Sequence, residues 1–287
     1  MAAISIADRQ AASAPAPDTI TTADFNVADM ALYGLKRARA RLTALDAKPV
    51  WDAADTASFD CMHYLGDTAL HAAARALRLQ PGARVVDVGA GFGATGRFLH
   101  RHYGADVTGI ELQSAIHDLA ETITARNRLS AHARSLNADF TTLAPAAVGA
   151  PVDHVVSFLC ILHIPDRAAV FSKTASLLRR DGGIYVEDFF ARKELDAEMV
   201  RKLRDVVSCP YLPSRERYVA DLEGAGFGDV VFEEVTDAWA DYVHARAIEY
   251  RRSSEPEPFL MTFYDTIDEL FQGGKLGGAR IMARKIE

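Results

Sequence analysis

Cysteine is scarce: the 287 residues hold three, Cys61, Cys160 and Cys209, odd in number and far apart. That excludes a disulfide framework and a paired-cysteine zinc site, and it fits a reducing, cytoplasmic compartment. Long apolar runs are missing as well. No stretch approaches the roughly 18 consecutive apolar residues of a membrane helix, so no membrane span is expected. Positive charge is not in excess: 32 Lys and Arg against 39 Asp and Glu leave a net charge of −7. A chain that neutralises phosphates needs a basic surface, so no nucleic-acid partner is expected. There is no internal repeat of fixed period. Histidines and carboxylates stand at no metal-ligand spacing along the chain, so no metal centre is expected. The opening residues, MAAISIADRQAASAPAPDTI, lack a basic segment followed by a continuous apolar stretch. They do not read as a secretory signal, and residues 1–23 are expected to be a loose leader.

Apolar residues make up 49% and charged residues 25%, enough to bury a sizeable globular core. Residues 24–80 read as helical: Leu35, Ala38, Leu42 and Leu45 repeat at helical spacing, and a further helix is expected from Asp67 to Leu79. The run Arg84 to Val88 is β-branched and reads as a buried strand entering a glycine-rich turn and a helix. Further strands are expected at Asp106 to Ile110, near 132–137, at Val152 to Leu159 and at Ile184 to Phe190. Between them, Ile116, Leu119, Ala120 and Ile123 mark one helix, and Asp166 caps another whose stripe is Val170, Phe171, Thr174, Leu177 and Leu178. Asp181-Gly182-Gly183 is expected to stop that helix. A helix near 214–225, a strand at Asp229 to Val235, a helical insertion at 238–272 and a last strand at Ala279 to Ile286 complete the chain. The pairs Gly273-Gly274 and Gly277-Gly278 punctuate that last join. Strand–helix alternation implies an α/β, Rossmann-like, doubly wound sheet, mostly parallel with a reversed last strand. The expected division is an N-terminal helical lid at 24–80 and a core at 81–287, with lid insertions near 191–213 and 238–272.

The turn after the first strand, Gly89-Ala90-Gly91-Phe92-Gly93, has two readings. With Ala94 it satisfies the dinucleotide fingerprint, which alone is weak evidence. Three features favour S-adenosylmethionine instead. Asp87 lies inside the strand, where a carboxylate suits a ligand bearing an amino group and a sulfonium better than a pyrophosphate. The two final strands after the pair Gly182-Gly183 fit a sheet with a reversed last strand, whereas Glu111, which ends the second strand and is placed to bond ribose hydroxyls, suits either ligand. Asp139 follows the third strand and offers an acceptor to an adenine amine.

Taken together, DVGAGFG, IELQ, NADF and LLRRDGGIYVEDF resemble the successive motifs of class I S-adenosylmethionine-dependent methyltransferases acting on small molecules. The branch is similar to sarcosine/dimethylglycine and phosphoethanolamine N-methyltransferases and to ubiquinone- and sterol-type C-methyltransferases. The resemblance implies that Asp87, Gly89, Ala90, Gly91 and Gly93 line the cofactor loop and that Glu111 meets the ribose. Leu112 and Gln113 would flank the adenine, and Asp139 would meet its amine, with Phe140 and Leu159 beside them. Phe158 to Pro165 contains no Asn/Asp-Pro-Pro-aromatic motif of the kind found in DNA and protein amide methyltransferases. A small-molecule acceptor is therefore expected, with S-adenosylhomocysteine as the co-product.

Methyl transfer asks mainly for alignment and desolvation, and for a base only where the acceptor loses a proton. Candidate catalytic residues are His163, at the open end of the fourth strand, Tyr64 and Glu187. Glu187 and Asp188 are adjacent and so face opposite sides. Candidate acceptor residues are His63, Tyr211, Trp239 and Tyr242, whose aromatic faces could cage an ammonium, and Arg246, which could bind a carboxylate or phosphate. An amine nitrogen is the favoured acceptor. A C- or O-methylated prenyl or quinone-like acceptor, a nicotinamide-dependent oxidoreductase and a non-catalytic subunit are the alternatives. The N-terminal helices and the 238–272 insertion offer surfaces for a homodimer.

Overall fold

The computed structural model describes residues 35–254 and 257–286. The leader and the first part of the N-terminal helical segment, 1–34, lie outside the described residues. Helices α1 (Leu35–Leu45), α2 (Ala53–Thr56) and α3 (Asp67–Ala76) precede strand β1 (Arg84–Val88). Strands and helices then alternate through α4 (Ala94–Tyr103), β2 (Asp106–Glu111), α5 (Ser114–Arg126), β3 (Ala133–Asn137), β4 (Val152–Phe158), α6 (Arg167–Leu177) and β5 (Leu178–Ala191). The chain finishes with α7 (Ala197–Val207), α8 (Arg215–Gly224), β6 (Phe227–Glu234), α9 (Thr236–Arg252), α10 (Pro258–Gln272) and β7 (Leu276–Lys285).

The strands form one sheet in the order β3-β2-β1-β4-β5-β7-β6. β7 runs antiparallel to both neighbours, and the other pairings are parallel, as the alternating pattern predicts. From β1 the chain winds outward to β2 and β3, then crosses to β4 on the other side. The β1–β4 junction is therefore the topological switch point, whose carboxyl end is the ligand crevice of open α/β sheets. The alternation of β1 sets the two layers. Val86 and Val88 pack with Val170 and Phe171 of α6 and Tyr218 and Leu222 of α8, whereas Val85 packs with Leu70 of α3 and Phe98 and Leu99 of α4. Asp166, Asp196 and Ser214 cap α6, α7 and α8 through their side chains, each worth about 1 kcal/mol. Among the described residues no helix is long and apolar enough to cross a membrane.

Three local expectations change. The helix expected to reach Leu79 ends at Ala76. Asp181-Gly182-Gly183 does not stop α6, which ends at Leu177. These residues lie in β5, where Leu178 pairs with Val152 and Gly183 already pairs with His154. The extra residues bulge out, Asp181 takes φ 60°, and Arg179 anchors the bulge on Asp153 at 2.7 Å. Gly277-Gly278 is likewise not a turn. It lies inside β7, where a Cβ on Gly277 would sit 2.3 Å from the Phe190 ring and one on Gly278 2.3 Å from the Trp239 ring. Only Gly273-Gly274 marks the join.

Candidate cofactor and acceptor site

The glycine turn leaves β1 with three left-handed residues, Gly89 (φ 74°), Gly91 (φ 53°) and Gly93 (φ 78°). Its close packing explains its composition. A Cβ on Gly89 would lie 2.1 Å from Cys160 Sγ, and Ala90 sits so near Gly109 of β2 that a Cβ there would meet it at 2.5 Å. Glu111 braces the turn: its carboxylate accepts the Gly91 amide at 3.0 Å and the Gln113 amide at 2.9 Å. Burial pushes the Glu111 carboxyl above its ordinary range, against the pull of those amides. The acid expected to meet the ribose is thus a loop clamp.

Asp87 is 2% exposed, its Oδ2 has no partner among the described residues, and burial with Glu111 nearby raises its pKa to about 7. Gln113 is also buried, with Nε2 unpartnered among the described residues. These orphaned groups beside a glycine cradle fit a ligand with a cationic end and hydroxyl-bearing sugar: a bound cation would stabilise the Asp87 anion. Leu112 is 47% exposed at the same edge, free to flank a flat base. Asp139 is half-buried and caps a short 3-10 turn, accepting from Thr141 N at 2.8 Å and Thr141 Oγ1 at 2.7 Å. Phe140 is corrected: its side chain lies in the core with Val86, Val88 and Ile110 and presents no face to a ligand.

Arg97, which no sequence motif marks, is the buried strut of the site. Its guanidinium donates to Phe92 O at 2.6 Å, Thr124 Oγ1 at 3.1 Å and Asp60 Oδ2 at 2.9 Å. Phe59 meets Phe92 edge-on, and α1 joins the same apolar cluster through Ala38 and Leu42. The segment 58–64 is thereby fixed over the glycine turn.

Beyond the turn, Leu159 takes φ 51° and donates its amide to Glu187 O, carrying the chain from β4 into a cavity of about 80 Å³. Phe59, Cys61, Met62, Tyr64, Leu162, His163, Phe189, Tyr250, Phe263 and Tyr264 are among its walls, with Arg37 at its edge. Among the described residues no acidic side chain lines it. His163 Nδ1 lies 2.8 Å from Ser208 O; a carbonyl only accepts, so Nδ1 carries the proton and Nε2 the lone pair. Burial lowers the His163 pKa and keeps the ring neutral. The hydroxyl of Tyr64 is buried without a partner among the described residues, and burial holds it firmly protonated. Burial also raises the Cys61 thiol to about 12, so this cavity residue is no nucleophile.

Other expected residues sit elsewhere. His63 is buried between Cys61 and Phe158, and with Tyr242 it lines a neighbouring cavity of about 540 Å³ near Arg97. Tyr242 still stacks on Tyr64, with ring centroids 5.0 Å apart. Glu187 is fully buried within the sheet, accepting from Tyr185 at 2.7 Å and from Arg280 at 2.9 Å, and does not line the cavity walled by Tyr64 and His163. Asp188, on the opposite face, pairs with buried Arg167 at 2.6 Å and anchors the start of α6. Trp239 is a core residue, 0% exposed and packed on Gly278. Tyr211 belongs to a separate cavity of about 790 Å³ near α8, its carbonyl held by Arg167. Arg246 is occupied by Glu249 and Tyr250 and stacked over the Tyr250 and Tyr264 rings, outside the acceptor wall.

Residues 85–182 match a methyltransferase domain model. The chain is 30% identical over 159 residues to the dimethylglycine N-methyltransferase of Parasynechococcus marenigrum, covering 55% of this chain and 56% of the relative. It is 28% identical over 200 residues to a phosphoethanolamine N-methyltransferase of Triticum aestivum, covering 67% of this chain and 37% of the relative. The chain thus spans little more than half, or less, of the length of these relatives. Among solved structures, Haemonchus contortus phosphoethanolamine N-methyltransferase 2 in complex with S-adenosyl-L-methionine aligns with a TM-score of 0.70 at 18% identity, over 79% of this chain and 54% of that one. Geranyl diphosphate C-methyltransferase from Streptomyces coelicolor A3(2) aligns at 0.67 and 19% identity, over 86% and 87%. These likenesses share the fold, including the reversed strand. The family match is to a methyltransferase domain over residues 85–182, from β1 into β5.

Proposed function

We propose that the chain transfers a methyl group from S-adenosylmethionine to a small-molecule acceptor at an amine nitrogen, leaving S-adenosylhomocysteine. When bound, the cofactor supplies an electrophilic methyl on a cationic sulfur. The observation that carries the reading is the continuity of the two sites: Cys160 packs on the cofactor turn at Gly89, and its neighbour Leu159 walls the aromatic cavity. An acceptor in that cavity meets the cofactor at the switch point of the sheet.

The residues divide the work. Asp87 neutralises positive charge on the cofactor, and Glu111 fixes the loop while presenting a carboxylate to ribose hydroxyls. Tyr64 offers an aromatic face that stabilises an ammonium by about 0.5–2 kcal/mol, the Tyr250 and Tyr264 rings being stacked on each other and under Arg246. His163 Nε2 takes the proton that the amine loses. The segment 58–64 acts as the lid that excludes water from both sites. Relatives named for amine substrates support the nitrogen. A second reading, C- or O-methylation of a prenyl or quinone-like acceptor, is favoured by the apolar and aromatic character of the described cavity wall, in which no acidic residue stands among the described residues. The three unpaired cysteines support a cytoplasmic setting, and a homodimer remains the proposed assembly.

Incubation of the full chain with methyl-labelled S-adenosylmethionine and separate panels of amines, phenols and prenyl compounds tests the reading. Label transferred to amines is the expected result. Label confined to phenols or prenyl compounds establishes the second reading. Label found only on tRNA or protein contradicts a small-molecule acceptor.

A further inference from the structure

We propose that His100, Asp106 and His132 form a binding site for a divalent transition-metal ion of the zinc class. Nothing in the linear sequence groups them. His100 stands in the last turn of α4, Asp106 opens β2, and His132 immediately precedes β3. The fold brings one potential ligand atom from each within 4.8 Å of the others. The placement is fixed by backbone: Asp106 N donates to Ala83 O at 2.9 Å, and Val107 N donates to His132 O at 2.7 Å. Gly104, at φ 68°, makes the sharp turn that returns α4 beside β2.

The donor chemistry suits such an ion. His100 Nδ1 donates to Ala105 O at 2.9 Å, which leaves Nε2 with the free lone pair. A ligating histidine that holds a backbone carbonyl through its other nitrogen is the usual arrangement around bound metals. The His132 ring stacks on His100 with centroids 4.0 Å apart, and its Nδ1 lies 2.8 Å from Asp106 Oδ1. Two imidazoles and one carboxylate form a set that zinc accepts, with water as the fourth ligand. Donors around a tetrahedral ion stand about 3.3 Å apart, so the side chains must close by about 1–2 Å. The half-exposed ends of Asp106 and His132 can swing inward without disturbing the core. The site lies at the amino end of β2, at the far end of that strand from Glu111. An ion there would tie α4, β2 and the start of β3 together without touching the acceptor cavity.

Calorimetric titration of the untagged full chain with zinc ions, beside the double variant His100→Ala/His132→Ala, tests the site. We expect one equivalent to bind the parent at least tenfold more tightly than the variant, and to raise the parent's melting temperature alone. Cobalt ions should give the parent, and not the variant, the visible bands of a tetrahedral site. If the double variant melts early without metal, the exposed single variant His132→Gln gives the same comparison. Equal zinc affinity in parent and variant, or no binding by the parent, overturns the proposal.

Discussion

Glu111 holds Gly91: the carboxylate of the acid that ends β2 accepts the amide of the turn that follows β1, at 3.0 Å. The same carboxylate accepts the Gln113 amide at 2.9 Å. Glu111→Ala removes both partners and leaves two buried amides unpaired, at about 2–4 kcal/mol in total. We expect a lower melting temperature even without ligand, together with weakened S-adenosylmethionine binding. Glu111→Gln keeps one acceptor oxygen and should fall between. Thermal melts and calorimetry read both effects, and an unchanged affinity in Glu111→Ala contradicts the clamp.

Gly89 admits no side chain. Alanine there brings Cβ within 2.1 Å of Cys160 Sγ and must also hold φ at 74°, which alone costs about 1 kcal/mol. Gly89→Ala should lose cofactor affinity by tenfold or more. Adding Cys160→Gly leaves only the Cys160 Cα at 3.8 Å and should recover part of that loss. No recovery would mean that backbone strain alone accounts for the glycine.

Asp87 should show opposite effects on stability and binding. Its pKa in the fold, about 7, is raised above the ordinary value near 4. The folded chain therefore holds a proton that the unfolded chain releases, and stability is full below about pH 4 and falls as pH rises towards 7. Asp87→Asn removes the buried charge and should stabilise the ligand-free protein by about 1–3 kcal/mol above neutral pH. It should also weaken cofactor binding at least tenfold and flatten the rise of affinity with pH. Melts at pH 5 and pH 8 check the first effect, and titrations at the same two values check the second.

His163 should act on turnover more than on binding. Its pKa lies below the 6.5 of an ordinary histidine because the ring is buried. A base must be neutral, so kcat should be flat above neutral pH and fall as the medium acidifies through the lowered pKa. The same protonation destabilises the fold, so stability is present at high pH and lost as pH falls below about 6.5. His163→Gln should lower kcat by a hundredfold or more while leaving cofactor affinity within a few fold. Equal losses in both would assign the ring to packing under Ser208.

The glycine turn and the strands around it are legible in the chain because they are local. β1, β2 and β4 are β-branched runs in the sheet interior, and the turn behind β1 declares itself by glycines whose φ values only glycine tolerates cheaply. The acceptor half is not local. Its wall gathers residues from segments as distant as Phe59, His163 and Tyr264, and a tyrosine on a lid helix gives no sign of which face it turns inward. Trp239 illustrates the point: its place in the 238–272 insertion suggests a lid aromatic, but Gly278 of β7 makes room for its ring in the core. Glu187 is drawn to Arg280 by the antiparallel β5–β7 register, which adjacent residues do not reveal. Arg97 escapes sequence reading for the same reason, since its three partners come from separate segments.

The central claim is tested most directly by calorimetric titration of the full chain with S-adenosylmethionine and S-adenosylhomocysteine, with NADH as the control. The account predicts that both adenosyl ligands bind at one site per chain, more tightly at pH 8 than at pH 6 for the cationic ligand, and that NADH does not compete. Binding of NADH with no response to either adenosyl ligand would contradict it.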